Sequence, residues 1–177
     1  MEIIRTLNIY AKNNDLQYLL IGGHAVNAYG VSRYTGDIDL LINRDQKKYW
    51  LSFMEKINYE EHQNNENFGK FSSSSLDSWP IDLMYVDSST FTKMYNDSIE
   101  YELDNDLVRI VSINHLITLK LHALKKFDII RFNKDFTDVI SLIRKSEIDI
   151  NSDNFLNLCL KYATQDIYNK IKDSFNE

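Results

Sequence analysis

Asp37 and Asp39 stand two residues apart in Asp37-Ile38-Asp39-Leu40-Leu41-Ile42, a run whose other residues are those of a buried strand. Side chains i and i+2 of a strand leave the same face, so this spacing sends both carboxylates out together, a few ångströms apart. Like charges held that close repel, and an apolar setting raises the cost further. A fold that keeps the pair must bring a cation to it. Just upstream, Tyr18 to Ile21 is another short apolar run, cut off by Gly22-Gly23, and His24 to Tyr29 then suits a short helix before Gly30. The order is strand, glycine turn, helix, strand.

The remaining elements extend this beginning into an α+β chain. Ile3, Ile4, Leu7 and Ala11 recur at helical spacing and stop at Asn13-Asn14-Asp15. Tyr49, Trp50, Phe53, Met54 and Ile57 share one face of a helix that follows the Asp-containing strand, and a polar stretch runs from Asn58 to Asn67. Phe68 to Ser73 and Ile81 to Val86 are candidate strands, with the only proline, Pro80, at the start of the second, where a missing N–H is tolerated. Leu107 to Val111 is a further strand, and Ser112 is the N-cap expected for a helix running to about Lys126. Three more helices follow, marked by Phe136, Val139, Ile140 and Ile143, by Phe155 to Tyr162, and by Ile167, Tyr168, Ile171 and Phe175. The expectation is a mixed-sheet core over residues 1–111 and a helical region over 112–177 that packs on it and completes an active-site cleft.

Composition excludes several classes. The chain has 177 residues, enough for one domain with a helical appendage, and 44% of them are hydrophobic, far above the level of a disordered chain. Its single cysteine, Cys159, forms no internal disulfide, and four scattered histidines offer no zinc spacing. No apolar run approaches the length of a membrane span, and Glu2 stands where a signal peptide is basic, so the expected location is the cytoplasm. A net charge of −6 makes general DNA coating a poor fit.

The chemistry of the Asp-x-Asp pair follows from its donors. Oxygen-only ligands with open positions favour Mg²⁺ or Mn²⁺, and sharing two ions takes a third carboxylate. Asp82, flanked by apolar residues in Pro80-Ile81-Asp82-Leu83-Met84, is the preferred candidate, with Asp87 a competitor five residues on. Glycines at 22 and 23 let backbone N–H groups approach a phosphate, and the helix after them aims its positive end at the same place. Two ions, a triphosphate and an attacking hydroxyl amount to nucleotidyl transfer, with release of pyrophosphate. Lys120 lies in the middle of the stripe Ile113, Leu116, Ile117 and Leu124, where a lysine either snorkels or meets a buried anion. Lys120, Lys125, Lys126, Arg131 and Lys134 concentrate positive charge in a stretch with one acid, Asp128; this is a phosphate cradle or a solvated helical face. His24 and His115 have no nearby Ser or Cys to form a dyad and are assigned no catalytic part.

Gly22-Gly23, Asp37-Ile38-Asp39 and a later lone Asp on a strand resemble the polymerase-β-type nucleotidyltransferase superfamily, although many of its members have Gly-Ser where this chain has Gly-Gly. Further along, Arg33-x-Thr35-x-Asp37, Leu119-Lys120-Leu121-x-Ala123 and Arg131-x-x-Lys134-Asp135-x-x-Asp138-Val139 resemble the AbiE-type toxin nucleotidyltransferases, over roughly Tyr18 to Ile143. The resemblance implies catalytic and metal-binding roles for Asp37, Asp39 and Asp82 and a catalytic role for Lys120. It also implies nucleotide contacts from Gly22, Gly23, Arg33, Thr35, Lys120, Arg131, Lys134 and Asp135. An NTP with two Mg²⁺ or Mn²⁺ ions is the implied cofactor set, and the toxin branch implies a tRNA acceptor and an antitoxin protein as partner. A protein side chain or a small alcohol such as an antibiotic are the other acceptors open. A nucleotidyltransferase fold kept as a non-catalytic module of a toxin–antitoxin pair is the rival from another class.

Overall fold

A computed structural model of the chain describes residues 2–75, 78–125 and 129–176, with the side chains of 129–131 outside the description. Among the described residues it has seven strands and eight α-helices, and it divides into two compact units. The first holds Met1–Ala28 and Arg33–Ser112; the second holds Ile113–Glu177 together with the short segment Tyr29–Ser32.

The first unit is a mixed sheet with helices. β1 (Tyr18–Leu20), β2 (Ile38–Asn43), β3 (Glu60–Asn64), β4 (Phe68–Ser72), β5 (Ile81–Val86), β6 (Ile99–Leu103) and β7 (Asp106–Ile110) align in the order β3-β4-β5-β2-β1-β7-β6. β2 runs parallel to β5 and antiparallel to β1, while β1 runs parallel to β7. The two outer hairpins, β3–β4 and β6–β7, are antiparallel. β2 and β5 are the central strands, and Ile38, Leu40, Leu41, Ile42, Ile81 and Leu83 have no exposed surface. Each such side chain contributes about 1.5–3 kcal/mol of burial, which is what anchors the two acids set among them.

Around the sheet, α1 (Glu2–Asn13) buries Ile4, Leu7 and Ala11, as its spacing requires, and Asp15 turns the chain with φ +53°. α2 (Gly22–Ala28) starts on the glycines themselves rather than after them. α3 (Lys47–Lys56) buries Trp50, Phe53 and Met54, but Tyr49, assigned to the same face, is 45% exposed with the Lys48 ammonium over its ring. α4 (Ser88–Asn96) and β6 were not anticipated. Neither was β3, which occupies part of the polar stretch 58–67: its residues Glu60 to Gln63 are all exposed, so no apolar alternation marks it, and only its backbone pairing with β4 makes it a strand.

The second unit is helical, with α5 (Ile113–Leu124), α6 (Ile129–Arg144), α7 (Asp153–Tyr162) and α8 (Gln165–Asn176). α5 begins directly after Ser112 and ends two residues before Lys126, which lies outside the described residues. α5 packs on α6 and α7, and α7 on α8, around Leu116, Ile117, Leu121, Val139, Leu142, Ile143, Phe155, Cys159 and Ile171. Ser152 caps α7, its hydroxyl accepting from the Phe155 N–H at 3.2 Å.

Candidate metal centre

β2 and β5 run side by side in register, with Asp39 opposite Asp82, so the two carboxylates emerge on one face of neighbouring strands. Asp37 lies one residue before β2 begins, held there by the loop rather than by the strand. One oxygen from each of Asp37, Asp39 and Asp82 lies within 4.8 Å of the others, and all three residues are partly exposed. Asp87, the competing candidate, is occupied elsewhere. It is the N-cap of α4, accepting from the Thr90 N–H at 2.9 Å and from the hydroxyls of Ser89 at 2.6 Å and Thr90 at 2.7 Å. Those bonds, the Ser89 hydroxyl foremost, hold its carboxyl well below the usual range.

The loop before β2 is built around this cluster. Thr35 is buried, and its hydroxyl donates to Asp37 Oδ1 at 3.1 Å, which fixes the carboxylate's orientation. Asn27 of α2 clamps the loop from both sides: its amide donates to the Arg33 carbonyl at 3.0 Å and its oxygen accepts from the Arg33 N–H at 3.0 Å. The double glycine has a steric reason beyond any bound phosphate. Gly22 has φ +60°, and a Cβ there would fall 1.8 Å from Asp39 Oδ2. At Gly23 a Cβ would fall 2.3 Å from Thr35 Oγ1 and 2.8 Å from the Arg33 guanidinium. The glycines therefore make room for the chain's own Asp39, Thr35 and Arg33.

One residue at the cluster, Lys70, escaped the sequence reading, and His24, given no catalytic part there, is buried near Asp37. Lys70 on β4 stands opposite Asp82 in the antiparallel register, and its Nζ donates to Asp82 Oδ2 at 2.7 Å. Its signal was present only as a lysine on a strand next to the one carrying Asp82, and strand order is not written in the sequence. His24 is 8% exposed, packs its ring 5.5 Å from that of Trp79 and leaves Nε2 buried without a hydrogen-bond partner. Burial pushes its imidazole down from the usual value, against the upward pull of Asp37 and Asp104.

In the second unit, Lys120 is buried in the α5 stripe among Leu116, Ile117, Leu121 and Leu124. Its ammonium meets Asp135 Oδ1 at 2.7 Å and Asp138 Oδ2 at 2.6 Å, both from α6. The buried anion that this lysine meets is a pair of carboxylates from within the unit. Asp138 was legible as part of the Lys-Asp helix but was not singled out. Lys125 and Lys134 are exposed, and the side chain of Arg131 lies outside the described residues.

No family model and no curated protein matches the sequence. Solved structures do match it. The antibiotic-resistance factor ANT(2″)-Ia in complex with adenylyl-2″-tobramycin aligns at 13% identity with a TM-score of 0.67, covering 91% of this chain and 95% of its own. The lincosamide antibiotic adenylyltransferase LnuA, lincomycin-bound, aligns at 13% identity with a TM-score of 0.58, covering 82% of this chain and 96% of its own. An antigenic nucleotidyltransferase-like protein from Paracoccidioides brasiliensis aligns at 16% identity with a TM-score of 0.58, covering 97% and 91%. At such identities the likeness is one of architecture, and the architecture of this chain is the nucleotidyltransferase fold.

Proposed function

We propose that the protein is a metal-dependent nucleotidyltransferase that moves an NMP from an NTP to a hydroxyl acceptor and releases pyrophosphate. The observation that carries this is the convergence of Asp37, Asp39 and Asp82 within 4.8 Å on a sheet of the nucleotidyltransferase fold. Donor chemistry fits a hard divalent cation: three carboxylates, no sulfur or imidazole among them, and partial exposure that leaves room for water and phosphate. Asp37 and Asp39 are assigned to both ions and Asp82 to one of them. Held by Asp37, Asp39 and Asp82, an Mg²⁺ or Mn²⁺ ion would supply positive charge for the transferring phosphate and would acidify the attacking hydroxyl.

The chain's own residues supply position. Thr35 orients Asp37, Gly22 leaves space for Asp39, and the Asn27 clamp keeps the Arg33 loop in place. Arg33 is the candidate in that loop for a nucleotide phosphate. Lys120, Asp135, Lys134 and Arg131 remain nucleotide-site candidates on the strength of the AbiE-type resemblance. For Lys120 and Asp135 the mutual ion pair gives the alternative of a purely structural part.

The acceptor has two readings. The AbiE-type motifs favour tRNA and an antitoxin protein as partner in the cytoplasm. The antibiotic adenylyltransferases, matched over nearly their whole length, favour a small alcohol. Incubation with each α-labelled NTP and Mg²⁺ or Mn²⁺, against separate pools of tRNA, protein, aminoglycosides and lincosamides, separates them. Label should pass to one pool only, and chelation with EDTA should stop it. Transfer to none of the pools with any NTP leaves the fold as a binding module and ends the catalytic reading.

A further inference from the structure

Asp39, Asp82 and Lys70 stand in one row across three adjacent strands. Asp39 on β2 pairs in register with Asp82 on β5, and Asp82 pairs in register with Lys70 on β4. Burial alternates along β4 and β5: Gly69, Phe71, Ile81 and Leu83 are buried on one face, while Lys70 and Asp82 share the other, partly exposed one. Side chains directly opposite on neighbouring strands are the closest pairs in a sheet. Asp82 therefore has a like charge on one side and a lysine on the other, with the ammonium at 2.7 Å. Lys70's partner on its other flank is Gln63 of β3, exposed and neutral, so among its register partners Asp82 is the acid.

We propose that Lys70 is a built-in counter-ion that offsets the Asp39–Asp82 repulsion in the metal-free protein and is displaced from Asp82 when the divalent cation binds. This rests on the metal-site reading above and adds a residue that sets its affinity. The ammonium and the ion compete for the same oxygen, and they repel each other once both are near. Lys70 is thus a positioning residue whose cost is paid in metal affinity. Its side chain is 45% exposed against 25% for Asp82, so the ammonium has open solvent to move into when Asp82 turns to another cation.

The test is Mn²⁺ binding to the full chain without nucleotide, by calorimetry or by the loss of free-ion signal in electron paramagnetic resonance. Lys70→Met keeps the stem and removes the charge. It should bind Mn²⁺ about threefold to tenfold more tightly than the parent, as expected for losing a part-exposed ion pair and a repulsion together. In EDTA the same variant should melt lower than the parent, and saturating Mn²⁺ should raise its melting temperature more. Lys70→Arg should return both readouts toward the parent, and Lys70→Gln, polar and better suited to an exposed strand position, should repeat the Met result. Equal or weaker Mn²⁺ binding in both neutral variants makes Lys70 an ordinary surface ion pair and overturns the proposal alone. A parent that binds no Mn²⁺, or binds it undiminished after Asp39→Asn, overturns the proposal and the metal-site reading together.

Discussion

The two units hold carboxylate clusters of opposite design. In the sheet unit, three acids converge with partial exposure, and Lys70, whose ammonium meets Asp82, lies at the rim, 45% exposed. In the helical unit, two acids close on one lysine, and the side chains of Lys120, Asp135 and Asp138 are 9%, 8% and 3% exposed. The first arrangement gathers three acids within 4.8 Å of one another and leaves them partly open to solvent. The second has its cation built in and sealed. Exposure and the source of the compensating charge, not the count of acids, set the two clusters apart: the first is open to a charge from outside, and the second is closed on its own lysine.

The largest effect that tests this contrast is in the helical unit. Lys120→Met retains the apolar stem but takes the ammonium away from two buried carboxylates, and breaking a buried pair in this way costs about 3–5 kcal/mol. Urea unfolding should show that loss. The triple variant Lys120→Met, Asp135→Asn, Asp138→Asn should recover much of it, because the penalty lies in the stranded charges and not in the missing lysine. If Lys120→Met unfolds with the parent's midpoint, the triad is not structural, and an effect confined to NTP turnover would return Lys120 to the catalytic part its motif implies.

In the sheet unit the same kind of change should act in reverse. Asp39→Asn removes one of three mutually repelling acids, so the melting temperature in EDTA should hold or rise, while Mn²⁺ affinity and nucleotidyl transfer should fall by about a hundredfold or more. A stability loss with transfer retained would erase the contrast between the clusters.

A smaller effect separates the ligands from their support. Thr35→Val keeps the buried volume and deletes the 3.1 Å hydrogen bond to Asp37, at a cost of about 1 kcal/mol of stability. Because Asp37 then loses the group that orients it, metal affinity should fall about tenfold, the lower end for residues that support a ligand. A stability loss with unchanged Mn²⁺ binding would show that Asp37 is oriented without Thr35.

What could be read in advance divides along physical lines. Asp39 and Asp82 were legible because carboxylates in apolar strands are costly and therefore conspicuous, Asp37 by its spacing of two from Asp39 although it precedes the strand, and Lys120 by its place in an apolar helical stripe. β3 was not, since an exposed edge strand of Glu, His, Gln and Asn is held by backbone pairing that leaves no mark on side-chain pattern. Lys70 was hidden for a related reason: its meaning depends on β4 lying beside β5 in a register that sets it opposite Asp82. The glycines were found for one reason and placed for another. Their lack of a Cβ suggested a phosphate contact, while the folded chain uses the space for Asp39 and Thr35.

The smallest effect concerns Asp87, the carboxylate that composition alone could not separate from Asp82. Its bonds from Ser89 and Thr90 hold its folded pKa below the unfolded value. A group depressed in this way contributes stability that is fully present above the unfolded pKa, about 4, and is lost as pH falls through the folded one. Asp87→Ala should therefore melt below the parent at neutral pH, and the gap should narrow as pH drops from about 4 toward 3 and the parent's capping carboxylate begins to lose its advantage. Asp87→Asn, which still offers an oxygen to the Thr90 N–H, should lie between them with a flatter pH dependence. Nucleotidyl transfer should be unchanged in both, in contrast to Asp82→Asn. A gap that stays constant from pH 7 to pH 3 would assign the loss to packing, and a loss of transfer in Asp87→Asn would bring this residue back as the third carboxylate of the metal centre.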